Sequence, residues 1–207
     1  MQSNNKTLVI VDLDGTLYSI NTFEAWILFY LKDSVKAGRW RVAGSLIWFG
    51  VLRKLRLISH EMLKRKVIAL SADIDKKILN GFVDHLQQYR NKSVVDAFLS
   101  IFADFLVLAT AAPDFYASEL VKDLGFDRCI TTRSELSNQW CECRGQEKLR
   151  RTAEAIELRQ FKQIIFFTDH DEDLPLMRES TLVMLVKPKK NTLHKILNES
   201  FEYQIFN

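Results

Sequence analysis

The chain has 207 residues, 47% hydrophobic and 27% charged, the balance of a globular protein with a sizeable core and not of a disordered chain. Its net charge of +3 is too mild to suggest a nucleic-acid partner, and none is expected. Three cysteines, Cys129, Cys141 and Cys143, fit a reducing compartment better than a disulfide framework, and Cys141-Glu142-Cys143 lacks the second pair that a zinc site would need.

The polar start, Met1 to Lys6, contains no apolar run of the signal-peptide kind. Thr7 to Val11 is apolar and β-branched and reads as a buried strand. It runs into Asp12-Leu13-Asp14-Gly15-Thr16-Leu17. From about Ser19 to Ser100 the pattern is helical: Thr22 to Leu31, Ala37 to Leu55, Ser59 to Leu70, and Asp75 to Tyr89 onward. Ser59 is a good helix N-cap. The longest uncharged run, Val42 to Leu52, falls short of the roughly 20 residues that a bilayer span needs. The expected location is therefore the cytoplasm.

Four further strands are expected: Asp104 to Ala109, Cys129 to Thr131, Gln163 to Phe167 and Leu182 to Val186. Helices at Phe115 to Leu124, stopped by Gly125, and at Glu147 to Leu158 fall between them. This alternation predicts an α/β fold, a doubly wound parallel sheet, with a helical insertion between its first two strands. Ligands bind such sheets at the carboxyl ends of the strands, where Asp12, Thr110 and Asp169 all fall.

Asp12 and Asp14, two residues apart at a strand end, project the same way. Such a pair suits phosphoryl transfer: one carboxylate attacks phosphorus, the other moves the proton, and a metal ion neutralises charge. Thr110, with the backbone N–H of the residue after it, suits a phosphoryl oxygen. Lys148, near a predicted helix start, can reach the same oxygen. Asp169 closes an apolar strand and is a natural Mg²⁺ ligand, and Asp173 is placed to hold a metal water or orient Lys148. Taken alone, each piece has an ordinary reading as a turn, a cap or a surface lysine.

Together, Asp-x-Asp-Gly-Thr, strand-Thr, Lys and Asp-x-x-x-Asp resemble the motifs of the haloacid dehalogenase superfamily over nearly the whole chain. Gly145-x-x-Lys148, Asp173-Leu-Pro-Leu176 and Lys187-Pro188 resemble its phosphoserine-phosphatase-like branch, subfamily IB. The resemblance implies a Rossmann-like core from residues 1–18 and 101–207, a helical cap at 19–100, and an aspartyl-phosphate on Asp12. Asp14 is then the general acid–base. Gly15, Thr16, Thr110, Ala111 and Lys148 bind the phosphoryl group, and Asp12, Asp14 and Asp169 hold Mg²⁺. Superfamily dehalogenases lack the second aspartate, so Asp14 favours phosphate chemistry.

Two positions depart from the branch. His170 stands where Ser is usual, as a loop variation or a contact to metal water or substrate. Asn21 stands where phosphoserine phosphatases carry a substrate-reading glutamate, so phosphoserine is not expected as substrate. A phosphotransferase or mutase on the same site, or a non-catalytic binding or membrane-associated module, remain alternatives.

Between Lys32 and Lys66 lie ten basic residues and two acidic ones, a surplus of eight, among Trp40, Trp48 and Phe49, with Trp26, Phe29 and Tyr30 just before. Such helices suit an anionic membrane surface, a nucleotide phosphate or an anionic substrate, and equally an apolar packed side with a solvated basic side. With Asp12 to Phe23 and Cys143-Arg-Gly145-x-Glu-Lys148, the segment resembles bacterial phosphatidylglycerophosphate phosphatases. That implies a small-molecule or lipid phosphate as substrate and a position peripheral to the inner membrane.

Overall fold

The computed structural model describes residues 6–197 and 199–207, so the polar start at residues 1–5 lies outside the described residues. Strand β1 (Thr7–Val11) leads into helices α1 (Thr22–Lys36), α2 (Trp40–Lys54), α3 (His60–Leu70), α4 (Lys76–Leu86) and α5 (Lys92–Leu99). Then follow β2 (Phe105–Pro113), α6 (Asp114–Leu120), β3 (Arg128–Thr132), α7 (Gln146–Ala155), β4 (Gln163–Thr168), α8 (Leu174–Met177), β5 (Leu182–Val186), α9 (Lys190–Ile196) and β6 (Glu202–Phe206).

The six strands pair in parallel in the order β3-β2-β1-β4-β5-β6. The chain builds outward from β1 on one side, then returns to the other side at β4. That reversal opens a crevice beyond the carboxyl ends of β1 and β4. The sheet is buried on both faces. Val9, Val11, Ile165 and Phe167 join one apolar cluster, and Leu8, Ile10, Ile164 and Phe166 join the other. This is why the strands read as unbroken apolar runs and not as alternation.

The expected strands form with small shifts. β2 runs on to Pro113 and loses register with β3 between Ala109 and Pro113. β6 escaped the sequence reading: it is a half-exposed edge strand without an apolar run. Gly38, at φ +68°, ends α1 and lets α2 start at Trp40. Ser59 caps α3 as expected, its Oγ accepting from Met62 N–H at 3.0 Å.

Helices α1 to α4 pack around Trp26, which stacks on Tyr30 (5.1 Å) and meets Phe82 and Phe115 edge-on at 5.0 and 5.2 Å. Its indole N–H donates to Ser71 Oγ at 3.1 Å. Phe115 belongs to α6, so this aromatic cluster ties the inserted helices to the sheet layer. α5 lies on the sheet itself, where Phe98 meets Phe167.

Candidate active site

Asp12 continues the β1 ladder, its N–H donating to Phe167 O at 2.9 Å. The chain then closes a wide turn, with Leu17 N–H to Asp12 O and Tyr18 N–H to Leu13 O at 3.4 and 2.8 Å. Gly15 holds φ +77°, and a Cβ there would lie 2.2 Å from Asp169 Oδ2. Only glycine satisfies both the backbone and the contact. The end of β4 thus packs directly on the turn that carries the two aspartates.

Lys148 sits in the first turn of α7, after Gly145 at φ +55°. It is 3% exposed, and its Nζ lies 2.9 Å from Asp12 Oδ1 and 2.6 Å from Asp173 Oδ1. Asp173 is held in turn by the Thr168 hydroxyl, which donates to Oδ2 at 2.7 Å. Burial pushes the Asp12 carboxyl well above its ordinary range; Lys148 opposes this, while Asp173, Asp169 and Asp14 add to it. Burial also raises Asp14, moderated by Thr22, whose N–H and hydroxyl donate to Asp14 Oδ1 at 2.8 and 2.6 Å. Tyr116 Oη stands 3.2 Å from the Thr22 hydroxyl. With the Thr22 proton given to Asp14, Tyr116 supplies its own to Thr22.

Thr110 is buried at the register break in β2, and its Oγ1 accepts from Ala112 N–H at 3.1 Å. Among the described residues no acceptor takes its own proton. Thr110 and Ala111 line a cavity of about 930 Å³ together with Asp12, Asp14, Gly15, Lys148, Asp169 and Asp173. Thr16, expected to bind the phosphoryl group, does not line it. It is fully enclosed, and among the described residues its hydroxyl has no hydrogen-bond partner. Of the expected site residues, Thr16 is thus the one the fold turns away from the cavity. His170 Nδ1 accepts from Glu172 N–H at 3.2 Å and caps a short turn, while the ring borders the cavity. Asn21 likewise spends its side chain as a cap, accepting from Glu24 N–H at 3.0 Å.

Several residues of the site were missed in the sequence. Lys64, on α3, is buried; it pairs with Glu142 and donates to Ala111 O at 3.1 Å. Thr132 Oγ1 donates to the same carbonyl at 2.7 Å. Through Lys64 the inserted helices thereby hold the Thr110–Ala111 segment of β2. Arg53 and His60 also line the cavity, and burial holds the His60 imidazole below its usual range despite Glu142 nearby. The position of Lys64 beside Leu63, Val67 and Ile68 on the buried face of α3 was a usable signal.

Four carboxylates, those of Asp12, Asp14, Asp169 and Asp173, border the cavity, while Lys148 bridges only two of them. Four carboxylates of which one lysine bridges two fit a divalent cation, beside the further basic side chains that line the cavity. No group of three His, Cys, Asp or Glu side chains among the described residues is disposed as a metal cage. Mg²⁺ does not ask for one, since it takes one or two carboxylates with waters and substrate oxygens. The donor set Asp12, Asp169 and the Asp14 carbonyl suits it.

Burial pushes the Asp169 carboxyl up to about 6, with His170 opposing and Asp173 and Asp14 adding. Between its ordinary 3.8 and about 6, the folded metal-free chain holds a proton that the unfolded chain releases. Stability from this group therefore falls as pH rises through that window. Asp169→Asn is expected to stabilise the metal-free protein near neutral pH by about 3 kcal/mol. Mg²⁺ should then raise the melting temperature of the parent protein and not of the variant. Thermal unfolding with and without Mg²⁺ checks this; equal shifts for both proteins would place the ion elsewhere.

Residues 9–178 match the family model of haloacid dehalogenase-like hydrolases. No curated protein matches the chain. Among solved structures, a Bordetella pertussis Tohama I protein of unknown function shares 16% identity at TM-score 0.79, over 96% of this chain and 98% of its own. A HAD family hydrolase from Salmonella enterica serovar Typhi shares 11% at TM-score 0.67, over 98% and 68%. A phospho-aspartyl intermediate analogue of phosphoserine phosphatase shares 13% at TM-score 0.62, over 97% and 93%. At these identities the structural likeness speaks for the fold alone. The family match spans most of the chain and includes Asp12, Thr110, Lys148 and Asp173, so the chain belongs to the haloacid dehalogenase-like hydrolases.

Proposed function

We propose that the protein is a Mg²⁺-dependent phosphomonoesterase working through an aspartyl-phosphate on Asp12. The observation that carries this is the placement of two carboxylates, buried Asp12 and half-buried Asp14, at one strand end, with Lys148 bridging Asp12 and Asp173. Asp12 is held in place by its backbone bond to β4 and by Lys148, so it meets the substrate already oriented. Its oxygen attacks phosphorus as the bond to the leaving oxygen breaks. Asp14, kept protonated more readily by burial, gives its proton to that oxygen. The leaving alcohol departs, and Asp14 then takes a proton from water as the water attacks the phosphorus, freeing Asp12 and inorganic phosphate. Thr110, the Ala111 N–H and Lys148 hold the non-bridging oxygens as charge develops on them. Mg²⁺, held by Asp12, Asp169 and the Asp14 carbonyl, would supply Lewis-acid neutralisation of the phosphoryl group.

The cavity exceeds what a phosphate fills, and Arg53, His60, Lys64 and Gln88 line it along with the acidic groups. A bulky leaving group with further anionic character fits that lining. We take a lipid phosphate such as phosphatidylglycerophosphate as the leading candidate, with the protein peripheral to an anionic membrane. No helix among the described residues is long and apolar enough to cross one.

Phosphate release from a panel of phosphatidylglycerophosphate, sugar phosphates, nucleotides and phosphoserine, with Mg²⁺, tests the reading. The lipid is expected to be preferred and phosphoserine to be poor. A phosphorylated acceptor in place of free phosphate would make the protein a transferase. No release from any ester would contradict the reading.

A further inference from the structure

The outer face of α2 is the reverse of an ordinary surface helix. Ala43 and Leu46 are buried beneath it, yet Trp40, Ile47, Trp48, Val51 and Leu55 face outward, 41–68% exposed. At 3.6 residues per turn these five fall within roughly 100° of the helix circumference. An outward face of that kind is normally polar. Arg41 and Lys54 flank the stripe on its two sides, are exposed, and make no ion pair among the described residues. By contrast Trp26 and Tyr30 are core residues, so the aromatic content of the segment divides into a packed half and a presented half.

We propose that this face of α2 docks the protein on an anionic lipid bilayer. The two tryptophans suit the headgroup level, the aliphatic side chains suit the acyl boundary beneath it, and Arg41 and Lys54 suit anionic headgroups on either side. Charge argues against a second copy of the chain as the occupant. A two-fold contact through α2 would set two segments, each with a surplus of eight positive charges between Lys32 and Lys66, against each other. The helix also reaches the catalytic cleft: Arg53, near its carboxyl end, lines the cavity. Arg53 lies on the side of α2 opposite the stripe, so docking through α2 holds the cavity about one helix diameter, roughly 10 Å, from the membrane surface. As a statement about substrate this rests on the phosphomonoesterase reading; as a statement about binding it does not.

The test is co-sedimentation of the full chain with vesicles of phosphatidylcholine and phosphatidylglycerol, against phosphatidylcholine alone. Tryptophan emission is read in parallel. Trp26 and Trp140 are buried, so Trp40 and Trp48 dominate any change on binding. We expect binding to the anionic vesicles only, a blue shift of the emission, and weakening by salt. The double variant Trp40→Ser/Trp48→Ser should lose at least about tenfold in binding, given the apolar area withdrawn. Arg41→Gln/Lys54→Gln should lose about twenty-five-fold, at about fivefold per basic residue near an anionic leaflet. Turnover of a soluble aryl phosphate should be unchanged in both variants. Absence of binding to anionic vesicles, or binding undiminished in both variants, would overturn the proposal. A dimer in solution that these variants dissociate would also overturn it, in favour of a second copy. Vesicle binding without phosphate release from any ester, the lipid phosphate included, would support the docking face while defeating the phosphatase reading.

Discussion

Asp12→Asn is expected to abolish turnover while leaving the fold intact. The amide keeps the shape of the carboxyl but is no nucleophile, so the covalent route closes. Loss of a group that forms the intermediate costs at least about a thousandfold in kcat. The fold should not suffer, because Asp12 is a desolvated carboxylate whose charge burial disfavours. Lys148 keeps its second partner, Asp173, at 2.6 Å. The variant should therefore melt at or above the temperature of the parent protein. Steady-state turnover beside thermal unfolding checks both halves. A variant that is inactive only because it is unfolded would leave the chemistry undecided by activity, and its lowered melting temperature would refute the account of Asp12 as a strained, desolvated charge.

Lys148→Met is expected to be costly in both activity and stability. Its Nζ bridges two buried carboxylates, and removing it leaves Asp12 and Asp173 facing each other without a cation. Breaking a buried pair in this way costs about 3–5 kcal/mol. Burial alone would lower the Lys148 pKa, but Asp12 and Asp173 outweigh it and raise it above the ordinary 10.5. The stabilisation is therefore fully present at and below that value and is lost only as pH rises through the folded one. Neutral pH sees the whole effect.

In the variant, Asp12 loses its opposing cation and takes up a proton more readily still. The folded variant then holds a proton that the unfolded chain releases, so its stability recovers as pH falls toward the ordinary aspartate value of 3.8. Urea unfolding near pH 7 and near pH 5 should show the gap to the parent protein narrowing at the lower pH. A gap that does not change with pH would trace the loss to packing of the lysine stem. Asp12→Asn in the Lys148→Met background should recover part of the loss, since the two residues share one interaction.

The sheet and the gathering of most candidate site residues at one cavity were legible in the sequence because buried parallel strands advertise themselves twice. They give unbroken apolar runs, and those runs stop abruptly at a polar residue: Asp12 after Val11, Thr110 after Ala109, Asp169 just past Phe167. The chain order of those stops carried the family resemblance. What stayed hidden depends on three-dimensional neighbours. Lys64 sits in Lys64-Arg65-Lys66 and looks like a solvated charge, but α3 turns it inward onto Glu142 and the Ala111 carbonyl. Thr22 looks like a first-turn residue of α1 and proves to be the hydrogen-bond donor to Asp14.

Thr16 differs in the other direction. Motif position suggested a ligand contact, but the turn around Gly15 carries its side chain into the protein. The aromatic residues of the inserted helices could not be sorted by composition. Trp26 and Trp48 look alike in sequence, and only the packing of α1 over Phe82 and Phe115 separates a core tryptophan from a presented one. The edge strand β6 was missed because a strand paired on one side needs no apolar run.

The most direct test of the central claim is to trap the intermediate. The protein is incubated with a phosphomonoester and Mg²⁺, quenched in acid, digested and analysed by mass spectrometry. The account predicts one phosphoryl group on the peptide that contains Asp12, absent when Asp12→Asn is treated in the same way. Phosphate release with no phosphorylated peptide, or a phosphoryl group on another residue, would contradict it.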